Sequence, residues 1–498
     1  MIKIKILFII PPNTFFKGDF RGYIPFPIGI AYLAAVTEKY GCETHVLDCM
    51  IEDESEKDIG GSQVHVGLSW EEIGKRVKEI NPDIVGISCS YSAQYDNSAK
   101  VAKIVKEVNN KALTFIGGSY HSAMPKDGLK DSNIDYVFIG EAENTIIDVL
   151  DSLHGKKDLT KIDGIAYRKS NEIVINPKTK FIENVDELPF PARHLFKFEK
   201  YTKYDTSYTI RKPHATMITS RGCPYDCTFC SIHSIWGYKF RGRSPENVAD
   251  EIQFLEKEYG IKEIYFLDDI INFDRKRMMG ICDEIIKRKI DIKFVTPNGI
   301  RVDRLDRELL VKMKEAGCST LMCSVESADE FILNKVIRKN SNLPKVIENV
   351  KIMNEIGIRT VGYFIVGMPG DTQETIMKSA DLAVELDFWD AYFAIATPLP
   401  GTHLWKMCKE NKYVDEDIDT KPTMRMRYAN ISTPQLSAKE VERLRNRALL
   451  KYNFYKAKRH PIEFFSNPNH TWKLKNYSKV LARKISNKLK NTALSIVS

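Results

Sequence analysis

The feature that most constrains the fold is a regular alternation of short β-rich runs with helical patterns. It occurs first in a stretch that ends near residue 155, where most β-rich runs are almost continuously apolar, as strands buried on both faces of a sheet must be. Such alternation predicts a doubly wound parallel sheet with helices on both faces. The predicted strands of this stretch are residues 4–10, 43–47, 84–90, 113–116 and 136–139.

The same alternation returns six times between about residue 214 and residue 400. Helical patterns of about 12–20 residues separate the strands, and six such units predict a partial (β/α)6 barrel of the TIM type. In parallel barrels the chemistry is located at the carboxyl ends of the strands. The predicted strands are residues 216–220, 263–266, 293–297, 320–324, 360–366 and 391–397.

These patterns predict an α/β chain with four parts. The parts are a sheet domain at 1–155, a hairpin and linker at 156–208, the barrel at 209–402 and a helical C-terminal region at 403–498. In the last part, Ser437 and Glu440 have the spacing of a capping box, which predicts that a helix begins directly after Ser437.

Composition excludes several classes of protein. The chain has 498 residues, of which 43% are hydrophobic and 28% charged, so it is globular rather than disordered. Ten cysteines are too sparse for a disulfide scaffold. The first apolar run stops at Pro11-Pro12, and no uncharged run reaches the ~18 residues of a membrane span. We therefore expect a cytoplasmic protein without a signal peptide.

The positive charge is concentrated at the C-terminus. Residues 451–498 carry eleven Lys and Arg against one acidic residue, a net charge of +10, so residues 1–450 sum to −2. We therefore expect no nucleic-acid partner for the body of the protein. The tail predicts a basic amphipathic helix, docked on the barrel or in peripheral contact with an anionic membrane. Its apolar positions are Trp472, Leu474, Tyr477, Val480, Leu481, Ile485 and Leu489.

Three of the ten cysteines fall within eight residues, directly after the first predicted barrel strand. They are Cys223, Cys227 and Cys230, and thiolates this close in sequence are typical ligands of a soft metal centre. With His233 as a fourth ligand they predict a Cys3His zinc site, as in a zinc-stabilised binding module. Without it they predict an iron–sulfur cluster with one iron left open. The residues alone leave both alternatives open.

Small and polar residues follow the strands of the first stretch. Ligands of parallel sheets lie beyond the carboxyl ends of the strands, and glycine there allows the backbone to approach a ligand closely. A tight turn requires glycine as well, so each position has a purely structural interpretation. The candidate binding residues are Pro12, Ser90, Tyr91, Gly117, Gly118, His121, Gly140 and Glu141.

The Cys-x3-Cys-x2-Cys motif, with Phe229 before its last cysteine, resembles the radical S-adenosylmethionine (SAM) family. The turns after the later barrel strands are similar to the family's motifs in the same order. Glu326 is also costly to bury in a barrel mouth without a partner, which favours a ligand-binding role. The resemblance implies contacts to SAM from Asp268, Asp269, Asn298, Arg301, Ser324, Glu326 and Gly367.

The resemblance also implies the cofactors and the chemistry. The three cysteines bind a [4Fe–4S] cluster, and SAM chelates the open iron and is cleaved to a 5′-deoxyadenosyl radical. Such a radical needs no general base in its first step, so Tyr363, Tyr392 and Glu326 are candidates for orienting the substrate. The required electron implies a donor such as flavodoxin or ferredoxin.

The first domain extends the resemblance to class B radical SAM enzymes, whose N-terminal domain binds cobalamin. The matching motifs are Pro11-Pro12, Pro25-x-Pro27-x-Gly29-x-x-Tyr32-Leu33, Gly117-Gly118-x-x-His121 and Gly140-Glu141-x-Glu143. The cobalt-ligating Asp-x-His-x-x-Gly motif of other cobalamin domains is absent, which leaves the lower axial ligand undefined. The resemblance implies cobalamin-dependent methylation of an unactivated carbon in a small molecule, lipid or peptide. Radical cyclization, rearrangement or carbon–carbon coupling with the same cofactors is the alternative.

Overall fold

The computed structural model describes residues 3–19, 23–170, 172–204, 206, 208–415 and 428–466. The predicted basic tail lies outside these residues. In chain order the strands are β1 Lys5–Ile10, β2 Asn13–Phe16, β3 Glu43–Asp48, β4 Glu56–Gly60, β5 Gln63–Val66, β6 Ile84–Ser88, β7 Leu113–Gly117, β8 Tyr136–Phe138, β9 Ile165–Lys169, β10 Glu172–Asn176, β11 His214–Met217, β12 Ser220–Arg221, β13 Arg241–Gly242, β14 Glu263–Phe266, β15 Lys293–Ile300, β16 Cys318–Glu326, β17 Arg359–Val366 and β18 Asp390–Ile395.

The α-helices connect these strands and form the C-terminal region. They are α1 Ile28–Tyr40, α2 Cys49–Glu52, α3 Trp70–Ile80, α4 Tyr95–Val108, α5 Ser119–Ala123, α6 Pro125–Gly128, α7 Glu143–Leu153, α8 Phe198–Tyr201, α9 His233–Trp236, α10 Pro245–Tyr259, α11 Arg275–Lys287, α12 Arg307–Glu315, α13 Leu343–Glu355, α14 Gln373–Glu385, α15 His403–Glu410, α16 Ala438–Arg459 and α17 Pro461–Ser466.

The predicted doubly wound sheet is confirmed. Its strand order is β10-β9-β8-β7-β6-β1-β3, and the five strands from β8 to β3 are parallel. Alternate residues of β1 enter different cores: Leu7 and Ile9 pack with α3 and α4, whereas Ile6 and Phe8 pack with α1 and α7. Apolar burial on both faces explains why these strands have nearly continuous apolar sequences.

Two features extend this domain beyond the prediction. The hairpin β9–β10 pairs antiparallel with β8, so it continues the sheet. Strands β2, β5 and β4 form a small antiparallel sheet that was not predicted. The sequence of β4 is polar and largely exposed, so it lacks the apolar alternation by which a strand is recognised.

The predicted partial barrel is also confirmed. Its six strands follow the order β11-β14-β15-β16-β17-β18, all in parallel. The largest apolar cluster joins the barrel strands to helices α10–α14 and extends to α16. This order brings the carboxyl ends of all six strands to one rim.

The C-terminal helix α16 begins as the capping box predicted. The Ser437 hydroxyl accepts a hydrogen bond from the Glu440 amide, and the Glu440 side chain accepts one from the Ser437 amide. The helix lies along β18, where Arg445 Nε donates to the Phe393 carbonyl at 3.0 Å. Among the helices of the described residues, none combines the length and apolar character that crossing a bilayer requires.

Candidate functional site

The cysteine loop lies at the carboxyl end of the first barrel strand. Strand β12 precedes it and pairs antiparallel with β13, which closes the loop at its base. Between β12 and the first cysteine, Gly222 has φ +82°, and a Cβ there would lie 2.1 Å from the Lys239 carbonyl oxygen. Only glycine fits this turn, so its position helps to fix where the three cysteines begin.

The three thiols of the loop lie close enough to influence one another. Burial, together with the neighbouring Cys227 and Cys223, raises the pKa of Cys230 to about 12. Burial also raises the pKa of Cys223, again with a contribution from Cys227. Three half-buried thiols that disfavour one another's ionisation form a site for a cationic metal centre, whose charge stabilises the thiolates.

The geometry does not support the zinc alternative. His233 Nε2 lies 3.0 Å from the Cys223 carbonyl oxygen, and its ring stacks on Tyr238 with centroids 3.8 Å apart. The imidazole is therefore engaged by the backbone. Within the part of the chain that the structure describes, no three His, Cys, Asp or Glu side chains are grouped as ligands of a single metal ion. With His233 engaged, three thiols remain as candidate ligands, one fewer than a closed zinc site needs, which favours a cluster with one open corner.

The two aspartates after β14 have different environments. Asp268 is buried, and its carboxylate accepts hydrogen bonds from Thr219 Oγ1 at 2.7 Å and Ser220 Oγ at 2.5 Å. It therefore holds the entry to the cysteine loop. Asp269 lines a cavity instead, and burial together with the charge of Asp268 raises its pKa to about 7. Of the two predicted SAM contacts, the geometry favours Asp269.

Glu326 has a protein partner that the sequence did not indicate. It ends β16 at a register shift with φ +67°, and its carboxylate lies 2.7 Å from Lys339 Nζ. Both side chains are buried, so this pair balances the charge that led us to predict a ligand-binding role. A left-handed backbone in a non-glycine residue is strained, so the surrounding structure must hold Glu326 in this conformation.

Arg301 is likewise occupied by protein groups. It pairs with Asp303 at 2.8 Å and donates to the Lys339 carbonyl oxygen at 2.7 Å. Its guanidinium carbon lies 3.9 Å from the ring centroid of Tyr225, which belongs to the cysteine loop. Arg301 therefore braces the loop against the barrel.

The other predicted barrel residues lie around the same rim. Asn298 Nδ2 donates to the Leu267 carbonyl at 2.6 Å, and Phe229 packs into an apolar cluster beside α15. Ser324 lies against Gly299, where a Cβ would come within 2.1 Å of the serine Oγ. A Cβ on Gly367 would lie 2.5 Å from Val441 of α16.

The two tyrosines proposed to orient the substrate also contact each other. Tyr363 donates a hydrogen bond to the Pro297 carbonyl at 3.1 Å, and its ring meets that of Tyr392 edge-on at 5.7 Å. This places both side chains across neighbouring strands of the barrel.

A cavity of about 610 Å³ lies between the sheet domain and the barrel mouth. The carboxyl ends of β1, β6, β7 and β8 line one side, and the barrel residues Ile218, Leu267 and Asp269 line the other. The predicted residues on its wall are Ser90, Tyr91, Gly117, Gly118, Gly140, Glu141, Asp269 and Asn298. Pro12, His121 and the three cysteines of the loop lie outside this lining.

Gly118 shows that the cavity wall is shaped by close backbone approach. Its φ is +127°, and a Cβ there would lie 2.2 Å from the Cys89 carbonyl oxygen. Glycine therefore brings the turns after β6 and β7 together, as the floor beneath a large planar ligand requires. Tyr91 adds a hydroxyl to the same wall and accepts a hydrogen bond from Asn13 Nδ2 at 2.8 Å.

We expect Gly118→Ala to lower the free energy of unfolding by more than about 1 kcal/mol and cobalamin affinity by about 10-fold or more, because the new methyl group forces the two turns apart. Denaturant unfolding and absorbance titration with cobalamin measure the two effects. The matched control is Gly74→Ala in α3, where the nearest atom is at an ordinary 3.5 Å. Wild-type unfolding and cobalamin binding in Gly118→Ala would contradict this explanation.

Glu141 lines the cavity, but its carboxylate is engaged in a buried ion network. Arg221 Nη1 lies 2.5 Å from Glu141, and Arg221 Nη2 lies 2.7 Å from Glu143. Arg241 adds a second cation to Glu141 at 2.9 Å. The network joins the sheet domain to the strand that precedes the cysteines, so Glu141 contributes to the position of the loop.

His121 is buried and does not line the cavity. Its ring is surrounded by Tyr95 and Tyr120, and neither ring nitrogen has a hydrogen-bond partner of normal geometry among the described residues. Burial lowers the pKa of His121 to about 4. The histidine is therefore neutral in the folded protein at physiological pH.

This burial predicts a pH dependence of stability. Because the unfolded chain takes up the proton near pH 6.5 and the folded chain only near pH 4, stability falls as pH drops through this window. At about pH 5 the loss due to His121 is about 2 kcal/mol. Denaturant unfolding of wild type and His121→Phe at about pH 7.5 and about pH 5 measures it. An equal loss in both proteins would show that His121 is not responsible.

Several residues of the site were not predicted from sequence. Ile235 and Trp236 of α9 form the barrel side of the cavity, and Arg221 lies 4.7 Å from the Trp236 ring. The cations that pair with two of the predicted carboxylates were also missed. Arg221 and Arg241 pair with Glu141, and Lys339 pairs with Glu326. The one sequence signal that could have indicated any of these residues was the position of Arg221, two residues before the first cysteine.

Comparisons with known proteins agree with this geometry. Residues 217–383 match the radical SAM superfamily, and residues 20–150 match the B12 binding domain. A cytidylyl-2-hydroxyethylphosphonate methyltransferase from Streptomyces wedmorensis is 34% identical over 448 residues, covering 83% of each chain. An uncharacterized methyltransferase from Pyrococcus horikoshii is 35% identical over 408 residues, covering 82% of this chain and 83% of its own.

The fold also matches a solved structure. The radical SAM methyltransferase TsrM from Kitasatospora setae, with cobalamin and a [4Fe–4S] cluster bound, superposes with a TM-score of 0.70. The match covers 91% of each chain at 16% sequence identity, so it concerns the fold alone.

Proposed function

Because this chain belongs to the radical SAM enzymes that carry a B12-binding domain, we propose that it methylates an unactivated carbon atom of its substrate. The observation that carries the proposal is the cavity shared by the two domains. A methyl donor on the sheet and a radical formed at the barrel mouth would open onto the same space. Direct transfer between two cofactors requires such an arrangement.

The residues present fit the three cofactors. Cys223, Cys227 and Cys230 would hold the [4Fe–4S] cluster by three corners, and the strand ends that line the cavity would hold cobalamin. When bound, the cluster, SAM and cobalamin supply reductive cleavage of SAM, hydrogen abstraction and a transferable methyl group.

The protein's own contribution is placement and the exclusion of water. Asp269 presents a carboxylate beside the cysteines, where it would accept a hydrogen bond from the amino group of SAM. The apolar side chains of Ile218, Ile235 and Leu267 line the cavity on the barrel side. An apolar, water-poor lining protects a reactive radical from quenching.

SAM carrying a CD3 group tests the proposal. The anaerobically reconstituted protein, supplied with cobalamin, reductant and substrate, is expected to give 5′-deoxyadenosine, S-adenosylhomocysteine and a CD3-labelled product. Because the relative from Streptomyces wedmorensis is named for a cytidylylated hydroxyethylphosphonate, that compound is the first substrate to assay. Formation of 5′-deoxyadenosine with an unlabelled, altered product would instead support cyclization or rearrangement.

A further inference from the structure

The two most exposed large apolar side chains among the described residues lie in helices α16 and α17. Ile462 is 87% exposed and Phe454 is 74% exposed, and the nearby Phe465 and Leu450 are 59% and 50% exposed. Single apolar residues are common on protein surfaces, whereas a group of large ones marks a surface that binds something. We call these four residues together the C-terminal apolar patch.

The outward side of α16 combines apolar groups with cations. Arg447, Leu450, Phe454 and Lys458 are all exposed and follow one another at intervals of three or four residues, so they lie along one side of the helix. The opposite side, which includes Tyr452, packs into the apolar cluster of the barrel. The barrel therefore fixes which side of α16 faces outward.

Helix α17 is held in place by the residues between its two exposed side chains. Phe464 is 1% exposed, and the carboxylate of Glu463 lies 3.2 Å from Nζ of the buried Lys456 in α16. Because Glu463 and Phe464 are anchored, the flanking Ile462 and Phe465 are kept at the surface. Their exposure is therefore a fixed property of this part of the fold.

The charge around the patch has one sign. Residues 443–466 carry seven Lys and Arg against one acidic residue, Glu463, and the sequence of residues 467–498 adds seven more Lys and Arg and no acidic residue. Lys458 and Arg459 are exposed beside the patch. Like charges would meet if the basic tail or a second copy of the chain covered the patch, which disfavours both of these occupants.

We propose that the C-terminal apolar patch and the cations beside it bind the surface of an anionic phospholipid bilayer. The apolar side chains enter the boundary between headgroups and acyl chains, and the Lys and Arg side chains contact the lipid phosphates. A bilayer surface offers apolar and anionic groups together, which is the complement of this face. The contact is peripheral, because both helices stay packed on the protein.

The path of α16 sets the orientation of the bound enzyme. The helix begins with Val441 beside Gly367, at the carboxyl end of β17, and further along Tyr452 donates to the Phe388 carbonyl, just before β18 begins. It therefore runs from the catalytic rim to the opposite end of the barrel. The patch lies at that far end, so contact with a bilayer leaves the cavity and the cysteine loop uncovered.

Vesicle sedimentation of the full-length, reconstituted protein tests the proposal. We expect binding to vesicles of phosphatidylcholine and phosphatidylserine to be about 10-fold or more stronger than to phosphatidylcholine alone. Phe454→Ser/Ile462→Ser should weaken binding to the anionic vesicles by about 10-fold or more. The matched control is Ile59→Ser/Leu153→Ser, which removes two apolar side chains of the sheet domain that are 53% and 46% exposed and should stay within about 2-fold of wild type.

Charge reversal tests the cations separately. Arg447→Glu/Lys458→Glu should weaken binding to the anionic vesicles by about 10-fold or more, and added salt should weaken wild-type binding. Lys75→Glu/Lys103→Glu makes the same change of charge at exposed positions of α3 and α4 and is the control. Circular dichroism and SAM cleavage without vesicles should match wild type in every variant, because the changed residues are exposed and lie away from the rim.

Three results would overturn the proposal. They are wild-type vesicle binding in Phe454→Ser/Ile462→Ser, equal binding of the wild type to neutral and anionic vesicles, and equal losses in the control variants. A loss of SAM cleavage without vesicles in either patch variant would contradict the orientation. Failure of the wild type to cleave SAM would refute the proposed function alone, since sedimentation is measured independently of catalysis.

Discussion

Replacing any one of Cys223, Cys227 or Cys230 with alanine is expected to reduce iron from about four atoms per chain to almost none after anaerobic reconstitution. SAM cleavage should fall by about 10³-fold or more, because three thiolates are the minimum that holds the cluster and two do not retain it. Iron analysis, the brown absorbance of the cluster and 5′-deoxyadenosine formation measure these effects.

The control for this experiment is a cysteine outside the loop. Cys282 is fully buried in α11, so Cys282→Ala should keep full iron content and SAM cleavage. Wild-type iron and SAM cleavage in all three loop variants would refute the assignment of the site. Equal losses in Cys282→Ala would show that the effect is one of folding.

Arg221→Met is expected to cost about 3–5 kcal/mol of unfolding free energy, since it removes a buried cation shared by two carboxylates. Arg221 is 3% exposed and pairs with both Glu141 and Glu143. Because it lies two residues before Cys223, the variant should also bind less iron. Denaturant unfolding of the apoprotein and iron analysis of the reconstituted protein separate the two effects.

An exposed ion pair provides the comparison. Lys239 pairs with Glu183, and both side chains are more than two-thirds exposed, so Lys239→Met should change stability by less than about 0.5 kcal/mol. Arg221→Lys keeps the charge but loses the two-pronged contact, and it should give an intermediate loss. If Arg221→Met unfolds like wild type, the network does not stabilise the contact between the domains.

The sequence was sufficient for the parts of the fold that have local signals. Continuous apolar runs located the buried strands, and the spacing of three cysteines located the loop. The antiparallel sheet around β4 was missed because its strands have only four or five residues and β4 itself is polar. The local pattern of residues 163–181 predicted the hairpin, but not its pairing with β8, which depends on contacts between distant segments.

The site illustrates the same limit at the level of side chains. The sequence predicts ligand-binding roles for Glu141, Asp268 and Glu326, and in the folded chain each of these carboxylates also has protein partners. Glu141 and Arg221 are 80 residues apart, and Asp268 and Thr219 are 49 apart. A motif identifies which carboxylates reach the rim of a barrel, but only the folded structure shows which of them already have hydrogen-bond or ion-pair partners. By this criterion Asp269, and not Asp268, remains available.

The position of α16 along β18 has a consequence for the design of truncated fragments of the enzyme. In the described part of the chain, β11 and β18 stand at opposite ends of the strand order, so the barrel does not close and β18 offers an unpaired backbone edge. Tyr452 and Arg445 of α16 donate to carbonyl oxygens at Phe388 and Phe393 and cover that edge. A fragment ending at residue 383, where the family match stops, would lack both β18 and its cover and leave β17 exposed. We expect such a fragment to self-associate through strand pairing. In the intact chain, α16 prevents this aggregation by covering the edge of β18.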